Sequence, residues 1–216
     1  MTTMEKKKAI IWDLDGTLLD SYDEIVSSVL LTLEHFGIEE EGEVKEIRKY
    51  MIRYSVKKYF MKIEEKTGIS FMELHDLFES YHHAKYMEVT TMPHALEILQ
   101  YLKEHGIPSF VFTHRTFSTL PILRNLNMLP YFEEVLTISE AFPRKPDPTA
   151  IRYLMDKYSL DPEHTWYAGD RELDMEGGRN AGIKTILYQS SKDNKPVSGL
   201  EDYVIRDLMD IVGIVK

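Results

Sequence analysis

The chain has 216 residues, 43% of them hydrophobic and 29% charged, with no cysteine and a formal net charge of -10 at pH 7. That length suits one α/β domain with a sizeable core, alone or with a small second module, and no apolar run approaches the ~18 residues that span a bilayer. The missing cysteines exclude disulfides, Cys-ligated zinc and thiol catalysis, and the acidic balance argues against nucleic-acid partners, which need a basic face.

Met1 to Lys8 is polar and basic without an apolar stretch, so it reads as a short tail rather than a secretory signal, and a cytoplasmic location is expected. Ala9 to Trp12 is an apolar strand ending in Asp13-Leu14-Asp15, where Gly16-Thr17 forces a turn. From Ser21 to about Met87 the pattern is helical. Ser21 and Glu24 form a capping-box pattern, and Ile25, Val29, Leu33 and Phe36 follow at helical spacing up to Gly37. Glu43 to Lys66 reads as one or two helices closed by Gly68. Ser70 and Glu73 open another, with Phe71, Leu74, Leu77, Phe78 and Tyr81 on one face. His82-His83 reads as a solvated helix face. The basic residues Lys45, Arg48, Lys49 and Arg53 recur at helical spacing, as a solvated face or as a reach toward an anionic substrate.

Beyond Pro93 helix and strand alternate. Helices are expected at 93–105, 116–126, 149–158 and 173–181, with a last one from Leu208. Strands are expected at 110–112, 135–137, 166–168 and 185–188, and Val204-Ile205 offers one more. Alternation of this kind gives a doubly wound parallel sheet with helices on both faces. The implied organisation is an α/β core from residues 1–20 and 88–216, interrupted by a helical insert at 21–87. Ligands of such sheets bind beyond the C-terminal ends of the strands.

The polar residues that stand out lie at such ends. The first strand delivers Asp13 and Asp15, the second Thr113, and Trp166-Tyr167-Ala168 leads to Gly169-Asp170 with Asp174 four residues on. Lys145 lies in Arg144-Lys145-Pro146-Asp147-Pro148, just before a helix. Four carboxylates at one sheet edge repel one another and need compensation. An oxygen-only donor set without His or Cys favours a hard cation, and Mg²⁺, which takes further ligands from phosphate and water, is the one expected. A net-negative protein must meet an anionic substrate with local cations or a metal.

Taken in order, Asp13-Leu14-Asp15, Thr113, Lys145 and Gly169-Asp170 with Asp174 resemble the four motifs of the haloacid dehalogenase-like (HAD) hydrolases, most of which are phosphatases. The Rossmann-like core and the insert, similar to the small helical cap of that family, point to its phosphoglycolate-phosphatase and β-phosphoglucomutase branch. The resemblance implies Asp13 as nucleophile and Asp15 as general acid and base. It implies Thr113, its neighbour His114 and Lys145 at the phosphate, and Asp13, Asp15 (through its backbone carbonyl), Asp170 and Asp174 at Mg²⁺. The implied activity is hydrolysis of a small phosphorylated metabolite through an aspartyl-phosphate. A phosphomutase and a catalytically silent binding protein are the alternatives, and oligomeric state stays open. Asp15 argues against a true dehalogenase, whose departing halide needs no proton. Two positions depart from the family pattern: His114-Arg115 follows Thr113 where Asn-Lys is commoner, and His94 stands where many relatives have Gly.

Overall fold

The computed structural model describes residues 7–39, 43–192 and 197–216. These fall into two compact units, one within Met1–Asp20 and Thr90–Lys216, the other Ser21–Val89. Residues 1–6 of the expected tail lie outside the described residues. Lys7 and Lys8 are not tail: they open strand β1 (Lys7–Trp12). Strand β2 (Leu19–Asp20) follows a tight turn in which Gly16 takes φ +80° and donates its N–H to the Leu19 carbonyl at 2.8 Å. That left-handed conformation is one that glycine adopts without a Cβ penalty.

The helical unit contains α1 (Tyr22–His35), α2 (Val44–Arg53), α3 (Val56–Thr67) and α4 (Phe71–Lys85). The stretch from Glu43 to Lys66 is two helices, because Ser55 starts α3 by accepting the Lys58 N–H at 3.1 Å. Val29, Leu33, Phe60, Ile63, Leu74 and Phe78 form this unit's own core. The Ser70–Glu73 capping box is present in both directions. The expected Ser21–Glu24 box is not: no side chain caps α1 there. Glu24 is buried and instead accepts from the Ser28 hydroxyl at 2.8 Å and meets His82 Nδ1 at 2.8 Å. His82 is therefore not solvated. It is buried, stacked on Phe78 with ring centroids 5.5 Å apart, while His83 is exposed. The basic residues of α2 find partners within the unit: Lys45 with Glu43, Arg48 with Asp23, Lys49 with Glu46.

The chain returns through β3 (Thr90–Thr91), antiparallel to β2. Then come α5 (Ala95–Glu104), β4 (Ser109–Phe112), α6 (Thr119–Asn125), β5 (Phe132–Leu136), α7 (Thr149–Tyr158), β6 (Leu160–Gly169), α8 (Glu172–Ala181), β7 (Lys184–Tyr188), β8 (Tyr203–Ile205) and α9 (Ile211–Val215). Helix α6 starts at Thr119 rather than Thr116, and the helix expected from Leu208 begins as a 3₁₀ turn. The main sheet has the order β5-β4-β1-β6-β7-β8, with every neighbouring pair parallel. β1 is central and buried from Ala9 onward, as expected of a parallel strand covered on both faces. Trp12 and Trp166 are both buried in the sheet layers. Ala9, Ile11, Phe110, Phe112 and Tyr167 share one cluster with Ile151 and Leu154 of α7.

His94, at the start of α5, has φ +60°, which explains why glycine suits this position. Here the imidazole compensates by reaching Asp207, Nδ1 to Oδ1 at 2.8 Å. The hydrogen bond and charge of Asp207 raise the His94 pKa above its usual 6.5. Because the folded value is raised, the stabilisation is fully present below pH 6.5 and is lost as pH rises through the folded value. We expect the His94 ring resonances in an NMR titration to give a midpoint above 6.5 that returns to the ordinary value in Asp207→Asn. An unchanged midpoint in that variant would show that the pair does not form.

Candidate active site

The sheet places the singled-out residues at one edge. Asp13 follows β1 directly, and its N–H donates to the Ala168 carbonyl of β6 at 2.9 Å. By strand alternation it continues the Ala9, Ile11 series, so its side chain lies on the α7 side. Thr113 follows β4 with its N–H on the Leu136 carbonyl at 3.0 Å. Asp170 follows β6, and Asp174 lies in the first turn of α8. Asp13, Thr113, Lys145, Asp170 and Asp174 are all buried.

Lys145 enters from the loop before α7 and joins these groups. Its Nζ donates to Asp13 Oδ1 at 2.5 Å and Asp174 Oδ1 at 2.8 Å. It also lies 5.3 Å from the ring centroids of both Phe112 and Tyr167. Two carboxylates and two aromatic faces thus replace the water an ammonium loses on burial. Burial opposes its charge, but Asp13 and Asp174 outweigh burial and raise the Lys145 pKa above its usual value.

Asp174 is fully committed. Oδ1 takes Lys145 and, at 3.3 Å, the Tyr167 hydroxyl; Oδ2 takes the Arg171 N–H at 3.1 Å. Burial works against its ionised form, yet Lys145 and Arg171 hold its pKa below the usual carboxylate value. Asp13 is the opposite case. Burial, aided by the charges of Asp174 and Asp170 and opposed by Lys145, pushes its pKa up to about 7. Its second oxygen, Oδ2, is buried and has no hydrogen-bond partner among the described residues. Ligand atoms of Asp13, Asp170 and Asp174 lie within 4.8 Å of one another. A buried hard-oxygen set that includes the uncommitted Oδ2 of Asp13 fits a divalent cation such as Mg²⁺.

The Asp15 carboxylate is outside that group. Arg115 holds it at two points, Nη2 to Oδ1 at 2.6 Å and Nε to Oδ2 at 3.2 Å, and also donates through Nη1 to the Ser118 hydroxyl at 3.1 Å. This fork fixes the orientation of Asp15. His114 turns toward the Lys145 loop, where its Nε2 accepts the Lys145 N–H at 2.9 Å. The sequence reading missed Tyr167 and Phe112 as neighbours of Lys145. The available signal was the aromatic residues of β4 and β6, two of the strands that end at the site.

Pyrophosphatase PpaX of Bacillus velezensis is 27% identical over 216 residues, covering 98% of both chains. A haloacid dehalogenase-like family hydrolase of Streptococcus pneumoniae superposes with a TM-score of 0.81 at 23% identity, covering 97% of this chain and 99% of that one. A structure described as a predicted phosphoglycolate phosphatase from Haemophilus somnus gives 0.83 at 22% identity, covering 99% and 100%. The family model for haloacid dehalogenase-like hydrolases matches residues 10–188, from β1 through β7. The chain belongs to the haloacid dehalogenase-like hydrolase family.

Proposed function

We propose that the protein is a Mg²⁺-dependent phosphatase that hydrolyses a small phosphorylated metabolite through an aspartyl-phosphate on Asp13. The observation that carries this reading is the state of Asp13. One oxygen is anchored on Lys145, and the other is buried and uncommitted at the end of the central strand. An anchored, desolvated carboxylate with a spare oxygen is what a nucleophile requires.

Asp13 attacks phosphorus, forming an O–P bond as the bond to the leaving oxygen breaks. Asp15, oriented by Arg115, gives that oxygen a proton. Asp15 then takes a proton from the water that attacks phosphorus, and Asp13 leaves as carboxylate, releasing phosphate. Lys145 and the Thr113 hydroxyl hold the phosphate oxygens on which charge accumulates. Mg²⁺ would be held by Asp13 and Asp170 with the Asp15 backbone carbonyl. Bound there, it supplies positive charge that draws an anionic phosphoryl group to an anionic carboxylate. Asp174, committed to Lys145, Tyr167 and Arg171, orients the lysine and adds charge beside the ion.

The test is phosphate release from p-nitrophenyl phosphate and a panel of phosphoglycolate, sugar phosphates, nucleoside monophosphates and pyrophosphate, with Mg²⁺ and with EDTA. Pyrophosphate is included because of the name of the Bacillus relative. Release that falls at least about 10³-fold in EDTA is expected. A folded, Mg²⁺-binding protein that releases no phosphate would overturn hydrolysis. Phosphoryl return to a sugar phosphate in that case would establish the mutase.

A further inference from the structure

We propose that His114 is a positioning residue for Lys145: by accepting the lysine's backbone N–H, the imidazole sets where the ammonium sits at the phosphate. The inference rests on the reading of Lys145 as a phosphate-holding group. It departs from a direct phosphate contact by His114, since the nitrogen facing the loop is already committed to Lys145 N–H at 2.9 Å.

The need for such a residue follows from the chain. Between β5 and α7 the backbone from Thr137 to Pro148 forms no strand or α-helix, yet it must deliver one side chain to a fixed point. The Lys145 side chain is fully buried, with Nζ bound between Asp13 and Asp174. A lysine stem has four rotatable bonds and gives little control over its far end unless its root is held. His114 holds that root. It immediately follows Thr113, so one short step of chain links the two groups assigned to the phosphate oxygens. The ring itself is oriented by an edge-to-face contact with Phe112, with centroids 6.2 Å apart and planes at 89°.

Accepting at Nε2 requires a neutral imidazole that carries its proton on Nδ1. The surroundings enforce this form. Burial, together with the charges of Lys145, Arg144 and Arg171, pushes the His114 pKa down to about 3. The ring therefore stays neutral, and the acceptor available, at pH 5–6, where a solvent-facing histidine would be largely charged.

The experiment compares His114→Phe, which keeps an aromatic ring without an acceptor, with His114→Gln, whose Oε1 can accept. Both are made in wild type and in Lys145→Met. Read-outs are kcat, KM and inhibition by inorganic phosphate, all with Mg²⁺, and inorganic phosphate binding by calorimetry where turnover is lost. We expect His114→Phe to lower kcat by ~10–100-fold, as misplacement of a catalytic group by about 1 Å does, and to weaken phosphate inhibition by a similar factor. His114→Gln should recover most of both. In Lys145→Met the Phe substitution should cost nothing further, because a residue acting through Lys145 has nothing left to position. Equal effects of Phe and Gln, or additive losses in Lys145→Met, overturn the inference. Normal kcat and inhibition in a folded His114→Phe also overturn it while leaving the phosphatase reading intact. Full activity of Lys145→Met removes the assigned role of Lys145, and the inference falls with it. Should His114→Phe not fold, ¹⁵N shifts of the wild-type ring decide: a neutral Nδ1–H tautomer at pH 7 is required, and an Nε2–H tautomer excludes the bond.

Discussion

Asp13→Asn should all but abolish phosphate release and, in EDTA at pH 8, is expected to raise the melting temperature by about 4–8 °C. Both effects come from one arrangement. Loss of the proposed nucleophile should remove the covalent route and lower turnover by at least about 10³-fold. The stability gain arises because Asp13, Asp170 and Asp174 are buried within one small volume against a single ammonium. Desolvation of Asp13, opposed by Lys145 and aided by the charges of Asp174 and Asp170, raises its pKa to about 7. A carboxyl group raised in the folded state destabilises the fold when ionised. Its cost is absent below the ordinary carboxylate value near 4, grows as pH rises, and is complete above about 7. Asparagine keeps an oxygen for Lys145 and carries no charge. Relief of roughly 2 kcal/mol corresponds to that temperature shift in a protein of this size. The gain should vanish near pH 4, where the wild-type group is itself protonated. Saturating Mg²⁺ should shrink it, because an ion bound by the native state stabilises the wild type preferentially. Thermal melts at pH 4, 6 and 8, with EDTA and with Mg²⁺, read out all three conditions. A variant that melts below wild type at pH 8 in EDTA would mean that the cluster carries no excess negative charge. Greater stability at the expense of activity is the expected relation at a site built from like charges.

The acidic edge was legible in the sequence because strands and chemistry meet there abruptly. Four apolar residues ending in Asp13-Leu14-Asp15 cannot be an amphipathic helix face, and Gly16-Thr17 marks the turn within a residue. The same reasoning located Thr113 and Asp170, each directly behind a buried strand. Lys145 was legible by its placement before a helix in a Pro-bounded loop, although no strand delivers it. What stayed hidden depends on partners far along the chain. Arg115 and Asp15 are 100 residues apart, and nothing local to either announces a two-point contact. Glu24 satisfies the local capping pattern with Ser21, but His82, from α4, and Ser28 bind it in the interior. A buried carboxylate gains more from an imidazole and a hydroxyl out of water than from one solvated N–H. The same pairing removes His82 from the solvated face to which its neighbour His83 does belong. Tyr167 was expected only as part of the strand 166–168, and it does lie in β6. Its hydroxyl adds a second task, on the Phe112 carbonyl at 3.2 Å and on Asp174, that residue type alone does not reveal.

Gly169→Ala should disable the protein more thoroughly than its small size suggests. Gly169 ends β6, and a Cβ there would lie 2.4 Å from Asp174 Cβ, 2.6 Å from Cγ and 2.7 Å from Oδ2. The first obstacle is thus the root of the aspartate and not the tip of a flexible chain. Asp174 cannot swing aside cheaply, because Lys145, Tyr167 and the Arg171 N–H hold it from three directions. The strain must move the first turn of α8 or the end of β6, and either movement displaces the carboxylate that orients Lys145. Overpacking of this kind costs about 1–3 kcal/mol, a fall of roughly 2–12 °C in melting temperature. A shift of about 1 Å at Lys145 lowers turnover by a further ~10²-fold in the protein that remains folded. Gly177→Ala, in α8 with Asp174, is the matched control. Its Cβ would find nothing closer than 3.7 Å, so the added helix propensity should leave stability equal or up to about 1 kcal/mol higher, with turnover unchanged. Paired melts and phosphate-release rates for the two variants separate a crowded active-site seam from a general intolerance of added methyl groups. A Gly169→Ala protein that melts and turns over like wild type would show that Asp174 and the strand end can part without consequence, and that Asp174 does not set the position of Lys145.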